Sequence, residues 1–156
     1  MGAKYTAVCA AISEGFGFEL FSLYDEAVNH ELFIAFLEKL VEINPDRQLA
    51  IVMDNLSAHT KTEVKDRMRA LGILWILNVP YSPQYNAIEL PFGQIKKKFR
   101  ELKLQCLVNE RQFNQKQAII KSFKFQKKRY IDKCINHCLE LIGICRTNKS
   151  MRTSLQ

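Results

Sequence analysis

The 156 residues are the length of one ordinary domain, and 47% of them are hydrophobic, which excludes a disordered chain. Lysine and arginine outnumber aspartate and glutamate by 23 to 16, a formal net charge of +7, and such a surplus favours polyanionic partners, nucleic acid first. No apolar run approaches the roughly 20 residues that span a bilayer, so a membrane partner is not expected.

Residues 5–12 (Tyr-Thr-Ala-Val-Cys-Ala-Ala-Ile) are short, apolar and β-prone. Ser13-Glu14-Gly15-Phe16-Gly17 is turn chemistry, and residues 18–23 alternate as a returning strand, so a hairpin is expected. Asn29 is placed to cap a helix whose Phe33, Phe36, Leu37, Leu40 and Val41 share one face. Pro45 and Asp46 stop it. The continuous apolar run 49–53 reads as a central parallel strand, and Asp54 follows it directly.

Thr60-Lys61-Thr62-Glu63 has the form of a capping box, with Val64, Met68 and Leu71 on one helical face and Gly72 as terminator. Residues 73–79 form a further strand. Pro80-Tyr81-Ser82-Pro83 is a rigid loop, because each proline fixes φ and restricts the residue before it. A helix then opens at Ile88 and tolerates Pro91 in its first turn. From about Asn109 the chain is helical and lysine-rich, and 146–156 reads as a polar tail. A hairpin followed by alternating strands and helices implies an α/β fold with a sheet of mixed direction.

In such sheets ligands bind at the carboxyl ends of the strands. Asp54 ends one strand, and Glu89 opens the helix after the next. Paired carboxylates on such an edge suit Mg²⁺ or Mn²⁺, which prefer hard oxygen ligands. The residues alone also allow a plainer account. Asp54 could open a turn, and Glu89 could be a first-turn acid favoured by the helix dipole.

The wider context is Ile51-Val52-Met53-Asp54-Asn55 with His59 beyond, then Pro80-Tyr81-Ser82-Pro83, Asn86-Ala87-Ile88-Glu89 and Phe92-Gly93-Gln94-Ile95-Lys96. It resembles the catalytic core of the mariner superfamily of DDE transposases and its bacterial insertion-sequence relatives. In that family an Asp-Asn pair and a nearby His follow one strand. Pro-Tyr-Ser-Pro, Asn-Pro-Ile-Glu, an aromatic and a lysine come after the next. The 34 residues between Asp54 and Glu89 match the family's spacing between its second and third acids. Ala87 stands where the family has proline. The likeness runs from about Ala7 to Lys103.

The resemblance implies an RNase H-like mixed sheet flanked by helices over residues 1–145, with the first strand and its catalytic aspartate missing upstream. Asp25 is the only early candidate for that aspartate, and it falls in a loop where the family has no catalytic acid. Asp54 and Glu89 are then the catalytic, metal-binding pair of a two-metal site for DNA strand cleavage and transfer. Without the bridging third acid, weak metal binding and little or no cleavage by the chain alone are expected, as for a truncated or degenerate copy. The alternative is a non-catalytic DNA-binding or assembly module derived from a transposase. A third possibility is an unrelated RNase H-like nuclease that takes its missing acid from elsewhere.

Asn55 could orient Asp54 or contact a phosphate, and His59 could touch DNA. A turn asparagine and a helix-approach histidine fit equally. Lys96, Lys97, Lys98, Arg100 and Lys103 on one helix could track DNA phosphates or form a solvated face. Lys121, Lys124, Lys127, Lys128 and Arg129, interleaved with Phe123, Phe125 and Tyr130, offer a second basic surface or an amphipathic helix.

Five cysteines and no secretory pattern in residues 1–5 suggest free thiols in a reducing compartment. Cys134, Cys138 and Cys145 fit an apolar helix face, with Ile131 and Ile135, better than a zinc site completed by His137. The implied partners are DNA and either a second copy or a full-length transposase. The implied compartment is the nucleus of a eukaryote or the cytoplasm of a bacterium.

Overall fold

In a computed structural model, residues 6–153 are described, with side chains up to Gly143. Tyr5, expected to open the first strand, lies outside that range. So do the side chains of Cys145 and of the expected polar tail. The chain divides into two compact units, Met1–Ala11 with Phe18–Ser82, and Ile12–Gly17 with Pro83–Gln156.

The hairpin joins β1 (Ala7–Ser13) to β2 (Gly17–Tyr24). A three-residue connection can only be antiparallel. Gly15 and Gly17 take φ of +79° and +83°, backbone that glycine adopts without strain. Helix α1 (His30–Glu42) begins as its sequence dictates, with Asn29 Oδ1 accepting from the Leu32 amide at 2.9 Å. Strand β3 (Ala50–Met53) pairs in parallel with β4 (Leu74–Leu77), Ala50 opposite Leu74 and Met53 opposite Leu77. The expected mixed directions are present, in two two-stranded sheets that share no hydrogen-bonded ladder among the described residues.

The core of the first unit is Phe33, Phe36 and Leu37 of α1 against Met53, Val64, Met68 and Ile73, with Cys9 and Leu20 of the hairpin beside it. Here the apolar run before Asp54 departs from the expected central strand. Met53 is buried, yet Val52, Leu74 and Ile76 on the opposite face are exposed. A run of apolar residues reads the same whether one face or both are covered, so pattern alone could not separate the two.

The expected capping box does not form. A short turn of helix, α2 (Ser57–Thr60), comes first, and α3 (Thr62–Ala70) starts from Lys61 with no side-chain cap. Thr60 Oγ1 turns back to the Ser57 carbonyl instead. Gly72 ends α3 as expected. Its φ is +69°, its amide donates to Arg69, and the Ile73 amide donates to Met68.

In the second unit a 3-10 turn (Pro83–Tyr85) leads into α4 (Glu89–Val108), α5 (Gln115–Lys124) and α6 (Lys128–Thr153). Ile88 is the residue before α4 rather than its first, and Pro91 sits buried in the first turn. Ile95, Ile119, Phe123, Ile131, Cys134 and Cys138 are buried here. Phe92 meets Phe123 edge to face, with centroids 6.2 Å apart. Asn114 caps α5 by accepting from the Gln117 amide. At the hairpin tip the Gly15 amide donates to Asp132 Oδ1 at 2.9 Å.

Candidate functional site

Asp54 leaves the end of β3 with its side chain 52% exposed. Its Oδ1 accepts from the Leu56 amide at 3.2 Å, which bends the chain into α2. That turn carries His59 back, so that Nδ1 stands 2.7 Å from the same Oδ1. The separation is that of an ion pair. Its direction lies outside hydrogen-bond geometry, so the buried Nδ1 forms no hydrogen bond. The His59 ring tilts against Phe33 with centroids 4.1 Å apart, and its side chain is only 15% exposed. Among the described residues, both close contacts of Asp54 fall on Oδ1, which leaves Oδ2 for a cation.

Asn55 does not bond Asp54. Its Nδ2 donates to the Asn78 carbonyl at the end of β4. Asn78 was not singled out from sequence, yet it organises this edge. Its amide donates to Met53 at 2.7 Å, its Nδ2 to the Ser82 carbonyl at 2.9 Å, and its Oδ1 accepts from Val79. The signal available was an asparagine at a strand end just before Val-Pro, a residue type that bonds its own backbone neighbours. Tyr81 within this loop has φ of +55° and is fully exposed.

Burial pushes the thiol of Cys9 on β1 up to about 12, with a smaller contribution from the negative charge of Asp54. Asp25, the early candidate, is exposed in the bend after β2. Among the described residues no group of three His, Cys, Asp or Glu side chains gathers as a metal site. Asp54 therefore fits a divalent ion as a hard, exposed oxygen donor, while a complete ligand set is not assembled around it.

In the second unit Glu89 is the first residue of α4, exposed, where a negative charge meets the positive end of the helix dipole. Lys96, Lys97, Arg100 and Lys103 are exposed on α4. Lys98 is not presented with them. Its ammonium lies 3.2 Å from Glu101 Oε2 and 4.8 Å from the centre of the Phe125 ring. Lys121, Lys124, Lys127, Lys128 and Arg129 are also exposed. Charge is divided along the sequence. Residues 1–82 carry 7 Lys and Arg against 11 Asp and Glu, whereas 83–156 carry 16 against 5.

Cys134 and Cys138 are buried, His137 is exposed, and Cys138 Sγ donates to the Gln84 carbonyl at 3.3 Å. That is the apolar helix face expected. No helix among the described residues is long and apolar enough to cross a membrane.

A family model described as DDE superfamily endonuclease matches residues 3–109. No curated protein sequence matches the chain. Among solved structures, the Mos1 transposase catalytic domain with Raltegravir and Mn is similar, at 17% identity and a TM-score of 0.63, over 86% of this chain and 70% of that one. The Mos1 strand transfer complex is similar at 18% identity and a TM-score of 0.63, over 92% of this chain and 42% of that one. The simian T-cell lymphotropic virus intasome, in complex with a PP2A regulatory subunit, is similar at 14% identity and a TM-score of 0.54, over 76% and 45%. The fold is the RNase H-like fold of transposase catalytic domains, with the helices and small sheets described above.

Proposed function

From the premise that this chain belongs to the DDE superfamily endonucleases, we propose that it supplies two carboxylates, Asp54 and Glu89, to a divalent-metal centre for DNA strand cleavage and transfer. The observation that carries this reading is Asp54 itself. It is a half-exposed carboxylate at a strand end, with Oδ1 accepting from the Leu56 amide and approached by His59 Nδ1 at 2.7 Å, and with Oδ2 turned to neither. Glu89 joins it on the strength of the family motif and its spacing. A bound Mg²⁺ or Mn²⁺ would supply activation of the attacking oxygen and charge neutralisation at the leaving oxygen.

The chain's own residues do the rest. The Leu56 amide holds Asp54 by a hydrogen bond, with His59 packed beside the carboxylate. Asn55 ties the two strand ends together. Lys96, Lys97 and Arg100 attract the phosphate backbone, and the basic 83–156 segment gives that attraction its range.

Among the described residues no group of three metal-ligating side chains gathers at Asp54, and on this reading the chain alone binds metal weakly and cleaves little. Full activity then calls on a further acid, from a longer transposase chain or a second copy. A second reading, a DNA-binding or assembly module without cleavage, is favoured by the concentration of basic charge in residues 83–156.

The test uses the 156-residue chain, end-labelled duplex DNA and Mn²⁺, beside an Asp54→Ala, Glu89→Ala variant. The expected result is salt-sensitive binding by both proteins with little cleavage by either. Robust cleavage that disappears in the variant would overturn the claim of an incomplete site, and salt-independent binding would count against the basic helix.

A further inference from the structure

The Asn78–Ser82 loop is built to hold one aromatic ring in solvent. Tyr81 sits at φ +55°, the left-handed region that a bulky residue enters only under strain. The loop enforces it. Pro80 precedes Tyr81 and Pro83 follows two residues later, so φ is fixed at both ends. Asn78 Nδ2 donates to the Ser82 carbonyl and Ser82 Oγ to the Pro80 carbonyl at 3.2 Å, closing the loop across the tyrosine. Asn55 Nδ2 bonds the Asn78 carbonyl, which anchors the whole device to the turn that carries Asp54. The ring itself is fully exposed, and Val79 and Leu56 beside this edge are exposed as well.

Strain kept in place to expose an aromatic serves no packing purpose. A ring open on both faces takes a flat π partner. The substrate whose phosphate would meet Asp54 carries such partners in its bases, and every base has a π-face. In a duplex those faces are covered by stacking, so a base must be unpaired or extruded to reach a side chain. The geometry points to Tyr81 as a stacking platform for an unpaired DNA base next to the reacting phosphate. This rests on the DNA reading above and adds a substrate feature to it, namely single-stranded or distorted DNA at the Asp54 edge.

The experiment uses the full chain and an oligonucleotide carrying 2-aminopurine, whose fluorescence falls on stacking, as a single strand and in a matched duplex. Unmodified protein should quench the single strand. Tyr81→Phe should behave the same. Tyr81→Gly should melt no lower than the unmodified protein, because glycine accepts this backbone, yet lose the quench and bind the single strand about tenfold more weakly. Its affinity for duplex should be unchanged. Tyr81→Asn, whose side chain also tolerates left-handed backbone, should repeat that result. Undiminished quenching and single-strand affinity in Tyr81→Gly and Tyr81→Asn would overturn the inference while leaving the DNA reading intact. Failure of the unmodified chain to bind either form at low salt would overturn both.

Discussion

His59 brings its Nδ1 within 2.7 Å of Asp54 Oδ1 while its ring lies on Phe33, 4.1 Å between centroids. One side chain thus joins the carboxylate edge to the hydrophobic core. The carboxylate's position depends on core packing, and a change to the histidine should be felt as both.

His59→Ala removes an aromatic contact of a kind worth about 0.5–1.5 kcal/mol beyond the area it buries, so a total loss of about 1–2 kcal/mol is expected in urea unfolding. A double-mutant cycle with Asp54→Asn should show a coupling of about 0.5–1 kcal/mol, as contacting residues do. Additive effects would mean that the 2.7 Å approach carries no energy.

The lysines of α4 should separate by role. Lys96→Ala, Lys97→Ala and Arg100→Ala each remove an exposed charge and should each lower the slope of log K against log salt by about 1 if that residue meets a phosphate. Lys98→Ala should leave the slope nearly unchanged and instead lower the melting temperature slightly, because its ammonium is engaged with Glu101 and Phe125. Fluorescence anisotropy on duplex DNA at several salt concentrations reads the first effect, and calorimetry the second.

Burial raises the thiols of Cys9, Cys134 and Cys138 above their ordinary value of 9.0, Cys9 to about 12. In the unfolded chain these thiols ionise first. Their contribution to stability is therefore complete below about pH 9 and is lost as pH rises above it, for Cys9 through about 12. Folded protein at pH 8 should react slowly with maleimide at these three positions, and urea should release them. Stability measured from pH 8 to 10.5 should fall.

Met68 is fully buried among α1, α3 and the β3–β4 pair. Met68→Ala should cost about 2–5 kcal/mol, the usual loss plus cavity for such a deletion. Equilibrium denaturation with an unchanged slope would establish the cavity as the cause.

Much of this was legible in the sequence because local chemistry and burial agree there. Asn29 caps α1 and its apolar period faces the core, Gly72 ends α3, and Asp54 falls at a strand end. Other features were illegible for identifiable reasons. The Thr60–Glu63 box lost to an earlier turn, since burial of Ala58 and the approach of His59 to Asp54 favour winding from Ser57. Asn55 binds a carbonyl 23 residues away rather than its neighbouring carboxylate, a long-range partner that no local pattern announces. Tyr81 adopts a backbone its own propensity opposes, because Asn78 and two prolines dictate it. Lys98 turns toward Phe125, while its neighbours in the same lysine run stay in solvent.

The central claim is that Asp54 and Glu89 are metal ligands. Titration of the full chain with Mn²⁺, followed by loss of the free-ion paramagnetic resonance signal, tests it most directly. The account predicts weak binding that weakens further in Asp54→Asn and in Glu89→Gln and disappears in the double variant, with all three folded. Equal Mn²⁺ binding by the unmodified chain and the double variant would contradict it.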